Sequence, residues 1–165
     1  MTRVILSLFF ALSAAAAAAV PLDLSRVKQG PVTVAREGDT AVVRWQDEKG
    51  RAWEASFNLE PRLPLIGAIR VNGKTVIQNA VPIYSAQTGK RRGGFDEFFD
   101  FPPSHPDGTR SFQGRLELAA ANAATHGDRV ELTFDGFQMG IFRGSIRYMF
   151  YPGSRLIQQA AVAST

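Results

Sequence analysis

The sequence predicts an all-β fold, an antiparallel β-sandwich, and three observations carry that prediction. Apolar and polar residues alternate over short segments such as 51–58 and 129–135, the two-residue period of half-buried strands. Turn-forming pairs, among them Gly38-Asp39, Asn72-Gly73 and Gly127-Asp128, punctuate those segments at hairpin-like intervals. After residue 19 no segment shows the period of an amphipathic helix.

The elements follow in order. Residues 20–31 are an extended lead-in, and 32–36 are a short strand. Residues 41–45 and 51–58 are two arms of a hairpin closed by a turn at 47–50, with Trp45 on one arm and Trp53 on the other as core or cross-strand neighbours. Residues 65–71 and 74–78 form a second hairpin around Asn72-Gly73, whose turn needs positive φ at both central positions. Residues 81–84 are a short or edge strand, because Pro82 donates no hydrogen bond to a ladder. Residues 88–110 hold seven Gly and Pro residues and form a long loop. Residues 112–118 are a strand with one wet face, and alanine-rich 119–124 continues as a short helical turn. Residues 130–134 are a strand that Gly136 breaks. Residues 142–150 follow, with Phe142, Ile146, Tyr148 and Phe150 on one face and Arg143, Ser145 and Arg147 on the other. After a turn at 151–154, residues 155–165 begin one more strand. The expected total is about nine strands.

Residues 1–19 have a basic start at Arg3, a short apolar run at 4–12 and an alanine-rich exit, the layout of a secretory signal peptide. The run is too short to cross a bilayer. Cleavage before Val20 is expected, which leaves 20–165 as one β-sandwich domain in the periplasm or outside the cell. Hydrophobic content of 45% and charged content of 21% suit a globular domain rather than a disordered chain. The chain has no cysteine, which excludes disulfides, thiolate metal sites and a thiol nucleophile. A net charge of +4, dispersed except for Lys90-Arg91-Arg92, lacks the basic stripe of a nucleic-acid binder. The strand-like end at 156–165 has no closing element, so the chain reads as the N-terminal part of a longer protein, with the missing C-terminal portion as a partner.

The densest constellation of chemistry lies in the 88–110 loop: Phe95, Asp96, Glu97, Phe98, Asp100 and His105. Its carboxylates would offer calcium the oxygens it prefers, without the EF-hand spacing, so no cofactor is expected beyond that option. Paired acids, drawn from Asp96, Glu97, Asp100 and Asp107 or from Glu131 with Asp135, suit glycoside hydrolysis when they face each other across a bond. His105 with Asp100 or Asp107 suits general base work. The bland alternative is a solvated loop whose Phe side chains fold back onto the sheet. Arg143 and Arg147 share a strand face and would suit an anionic ligand, against the plainer reading of a solvated face.

The stretch Asp135-Gly-Phe-Gln-Met-Gly-Ile-Phe-Arg-Gly-Ser-Ile-Arg-Tyr-Met-Phe-Tyr-Pro-Gly-Ser154, with the return strand after it, resembles the opening of a galactose mutarotase-like supersandwich domain of exported carbohydrate-active proteins. The likeness spans at most residues 32–165. It implies binding of a sugar or polysaccharide, or a supporting role beside a catalytic domain. The motifs bearing the mutarotase catalytic His and Glu have no match here, so no catalytic residue is carried over. The expected function is an exported module that binds a glycan. A glycoside hydrolase or lyase fragment using the loop acids, and a structural envelope module without a small ligand, are the alternatives.

Overall fold

The computed structural model describes residues 18–88 and 110–165. Among them are twelve strands: β1 (Leu22–Arg26), β2 (Thr33–Glu37), β3 (Thr40–Gln46), β4 (Ala52–Asn58), β5 (Ile66–Val71), β6 (Lys74–Ala80), β7 (Ser85–Thr88), β8 (Arg110–Gln113), β9 (Arg115–His126), β10 (Arg129–Met139), β11 (Phe142–Phe150) and β12 (Ile157–Ser164). Strands β2 to β6 form a meander sheet in sequence order. A second, composite sheet has the order β1-β9-β10-β11-β12. β7 and β8 form a separate two-stranded ribbon.

Alternation decides which side chains meet between the sheets. Ala41, Val43 and Trp45 of β3 and Ala55 and Phe57 of β4 are buried, while Arg44 and Gln46 are exposed. From the composite sheet, Val130, Leu132 and Phe134 of β10 and Ile146, Tyr148 and Phe150 of β11 turn inward. The Phe57 ring sits at the centre, 4.7 Å from Tyr148, 5.3 Å from Phe134 and 6.1 Å from Phe150 between ring centroids. One aromatic from the meander sheet is thus surrounded by three from the composite sheet, an arrangement in which tilted and edge contacts add to area burial.

Several expectations change in the structure. The alanine-rich 119–124 segment is strand, not helix. β9 is hydrogen-bonded to β1 on one side and β10 on the other, and Ala121 and Ala123 are buried. Pairing on both edges outweighs alanine's helix preference, which is a fraction of a kcal/mol per residue. Gly136 does not end β10 but makes a β-bulge. The register slips between Asp135 and Phe137 against both neighbours. Its φ is 106°, and a Cβ there would lie 2.0 Å from the Glu117 carbonyl oxygen, so only glycine fits. The extra residue flips the alternation, which is why Phe137 faces the core as Phe134 does.

Residues 81–84 form no strand. Tyr84 instead accepts the Gly114 amide at its carbonyl (2.8 Å) and sets its ring against Phe137. The ladder begins one residue later, at β7. The lead-in is partly strand, because β1 adds to β9 in parallel, Leu22 opposite Ala121. That is the only parallel pair between named strands among the described residues. Among the same residues no helix is long and apolar enough to cross a membrane.

Candidate functional site

Of the side chains singled out from the sequence, Phe95, Asp96, Glu97, Phe98, Asp100 and His105 lie outside the described residues. Arg143 and Arg147 stand on the outer face of β11 as expected, but they do not form one cationic site. Arg143 donates through Nη1 to the carbonyls of Gly140 (2.8 Å) and Phe142 (2.9 Å), so it braces the β10–β11 turn. Arg147 stands opposite Thr133 and reaches Glu131 at 3.7 Å. Glu131 and Asp135 share the outer face of β10, with Thr133 between them.

A concavity among the described residues lies elsewhere, at the β3–β4 turn. It is a groove of about 740 Å³ lined by Thr33, Arg44, Trp53, Glu54, Arg70 and Pro152 among others. The hairpin register builds it. Trp45 stands opposite Trp53, and the same register sets Arg44 opposite Glu54. One strand further, Glu54 stands opposite Arg70. The indoles stack with centroids 5.7 Å apart and planes 24° from parallel.

Contacts with the β11–β12 connection hold the groove in place. Trp45, only 3% exposed, donates its indole N–H to the Ser154 carbonyl (2.8 Å) in the β11–β12 connection. Gly153 donates its amide to the Gln46 carbonyl (2.9 Å). Glu48 pairs with Arg155. Three contacts thus tie the turn of one sheet to a loop of the other.

Asp47 organises the turn itself. Its carboxylate is buried and accepts from the Lys49 and Arg51 amides (2.9 and 3.0 Å), the Arg51 Nε (2.7 Å) and the Trp53 indole N–H (3.1 Å). Burial pushes this carboxyl up. The hydrogen bonds from Trp53, Arg51 and Lys49 outweigh it and hold the group well below the usual carboxylate range. Asp47 is therefore an ionised, saturated hub that orients Trp53 rather than an acid free to exchange protons.

Polar groups cross the outer face of the meander sheet as a chain. Arg44 grips Glu37 with two nitrogens (2.6 and 3.0 Å) and gives Nε to Glu54 (2.8 Å); Arg70 takes the other Glu54 oxygen (2.7 Å). The hydrogen bond to Arg44 lowers the Glu37 carboxyl, and the same bond raises Arg44. Two guanidinium groups and two carboxylates balance in charge while leaving directional donors and acceptors along the groove.

The sequence pattern shows the two tryptophans but not the groove. The signal lay in the turn: once 47–50 closes the hairpin, Arg44 and Glu54 must face each other. Arg70 depends on β5 joining β4, which no local pattern states. Among the described residues no group of three or more His, Asp or Glu side chains converges on a metal position. No known protein family, curated protein or solved structure matches this chain.

Proposed function

We propose that this protein is an exported β-sandwich module that binds a glycan, and that the groove beside the β3–β4 turn is where it does so. The observation that carries the reading is one groove lined both by Trp53, which lies beside Trp45 on the inner face of β4, and by the fixed polar chain on the outer face of the same sheet. Trp53 is half-buried, and its orientation is set by Asp47. Arg44, Glu54 and Arg70 are held by one another along the same groove. Sugars offer an apolar ring face and a rim of hydroxyls, and sites that take them combine an aromatic surface with a few convergent polar groups. The leader-like residues 1–19 agree with encounter of such a ligand outside the cytoplasm.

The test is titration of the protein with soluble oligosaccharides, neutral and acidic, followed by Trp fluorescence and calorimetry. Binding should weaken by about tenfold or more in Arg70→Gln, with the thermal transition nearly unchanged because Arg70 is surface-exposed. Absence of binding to every oligosaccharide, or binding that Arg70→Gln leaves intact, would overturn the assignment to this groove.

A further inference from the structure

The polar network on the outer face of the meander sheet has two ends, and they are not alike. Glu37 spends both carboxylate oxygens on Arg44, at 2.6 and 3.0 Å. Arg44 spends Nη1 and Nη2 on Glu37 and Nε on Glu54. Glu54 spends Oε2 on Arg44 and Oε1 on Arg70. Arg70 ends the series, and among the described residues it donates through Nη1 alone, at 2.7 Å. Its Nε and Nη2, which lie side by side along one edge of the planar guanidinium, are left over.

The two ends also differ in place. Glu37 ends the network outside the groove lining, whereas Arg70 ends it on that lining. Arg44, Glu54 and Arg70 therefore bring one positive charge in excess to the groove, since the Asp47 carboxylate is matched by Arg51. What the groove offers a ligand is thus a cation with two parallel donors. A hydroxyl oxygen answers one donor at a time and brings no charge. A carboxylate accepts both at once and supplies the opposite charge. Arg44 shows on the same face that one guanidinium here holds two carboxylates, Glu37 and Glu54. Arg70 has the same capacity with one carboxylate in place. Its contact with Glu54 also fixes a long side chain before any ligand arrives, which lowers the ordering cost of binding.

Resting on the reading of this groove as a glycan site, we propose that its ligand is an acidic glycan, and that Arg70 takes the carboxylate of a uronate residue through Nε and Nη2. Trp53, on the lining of the same groove, offers apolar surface to the sugar ring.

The experiment is calorimetric titration of the full chain with oligosaccharides of galacturonate, glucuronate and mannuronate, each beside its counterpart with the carboxyls reduced to primary alcohols. At least one acidic oligomer should bind about tenfold or more tighter than its reduced counterpart, and added salt should narrow the margin. Arg70→Lys keeps the charge but lacks the parallel donors, so most of the margin should be lost. Equal affinity for acidic and reduced oligomers would overturn the proposal and leave the glycan site standing. A margin that Arg70→Lys leaves whole would overturn it as well, because the carboxylate would then be held elsewhere. No binding by either kind of oligomer would overturn both the proposal and the glycan reading. The comparison in the unmodified chain decides the matter even if Arg70→Lys does not fold.

Discussion

The outer faces of the two sheets carry similar residue types and do different things with them. On the meander sheet, Glu37, Arg44, Glu54 and Arg70 join across four strands at 2.6 to 3.0 Å. On the composite sheet, Glu131 and Arg147 sit 3.7 Å apart and Asp135 makes no ion pair among the described residues. Register explains the links to Glu54. Arg44 lies directly opposite Glu54, and Glu54 directly opposite Arg70. Arg147 lies opposite Thr133, and Glu131 opposite Met149, so that pair meets only on the diagonal, where side chains stand farther apart. Opposition across the ladder therefore fixes the two Glu54 links, while Arg44 reaches Glu37, which stands opposite Thr40, along the sheet.

The sharpest way to break the comparison is to remove what both faces rest on. Phe57 is fully buried and joins the meander sheet to three aromatic rings of the composite sheet. Phe57→Ala should cost about 3–5 kcal/mol, and at about 2–4 °C per kcal/mol for a chain of this size the melting temperature should fall by roughly 10 °C. Calorimetry checks it. A fall of only a degree or two would mean that the sheets are not coupled through this ring.

A narrower cut tests the groove face alone. In Asp47→Asn, the amide nitrogen must replace one carboxylate oxygen. Either orientation then sets a donor against donors, the Trp53 indole and Arg51 Nε on one side or the Lys49 and Arg51 amides on the other. Stability should fall by less than in Phe57→Ala but by more than the loss of one surface ion pair, and Trp fluorescence should shift. The pH dependence has a definite sign. Asp47 titrates below its ordinary 3.8 in the folded chain, so its contribution is fully present above that value and is lost as pH falls through and below it. Asp23, Glu37 and Glu48 are shifted in the same direction. The native chain should lose stability on acidification from about pH 4 downward, and Asp47→Asn should show a shallower loss. A slope equal to that of the native chain would remove Asp47 from the account.

Much of this fold was legible because its strands alternate cleanly and its hairpins are short. Asn72-Gly73 and the 47–50 turn set two registers that the structure keeps. What local pattern missed depended on distant partners. Ala121 and Ala123 belong to a strand only because β1 and β10 flank them. Gly136 looks like a terminator until Glu117 is seen beside it, where it becomes a bulge. The groove was missed for a related reason: Arg44 and Glu54 can be paired from one turn, but Arg70 and the Ser154 carbonyl arrive from elsewhere in the chain. Arg143 was legible as outward-facing but not as a brace, since its acceptors are carbonyls of its own turn.

The smallest effect separates the two faces most directly. Glu54→Gln removes the carboxylate shared by Arg44 and Arg70, with the Glu54 side chain only 26% exposed. Two half-exposed pairs lost together should cost about 1 kcal/mol. Glu131→Gln breaks a single long contact to Arg147, itself 40% exposed, and should cost no more than a few tenths of a kcal/mol. Denaturant unfolding of the two variants in low and high salt provides the measurement. The Glu54 loss should shrink as salt screens the pairs in the native chain, while the Glu131 loss stays near zero in both. Equal losses at the two positions would show that direct cross-strand opposition confers no advantage here, and that the chain of charges along the groove is held by solvent as loosely as the pair on the other face.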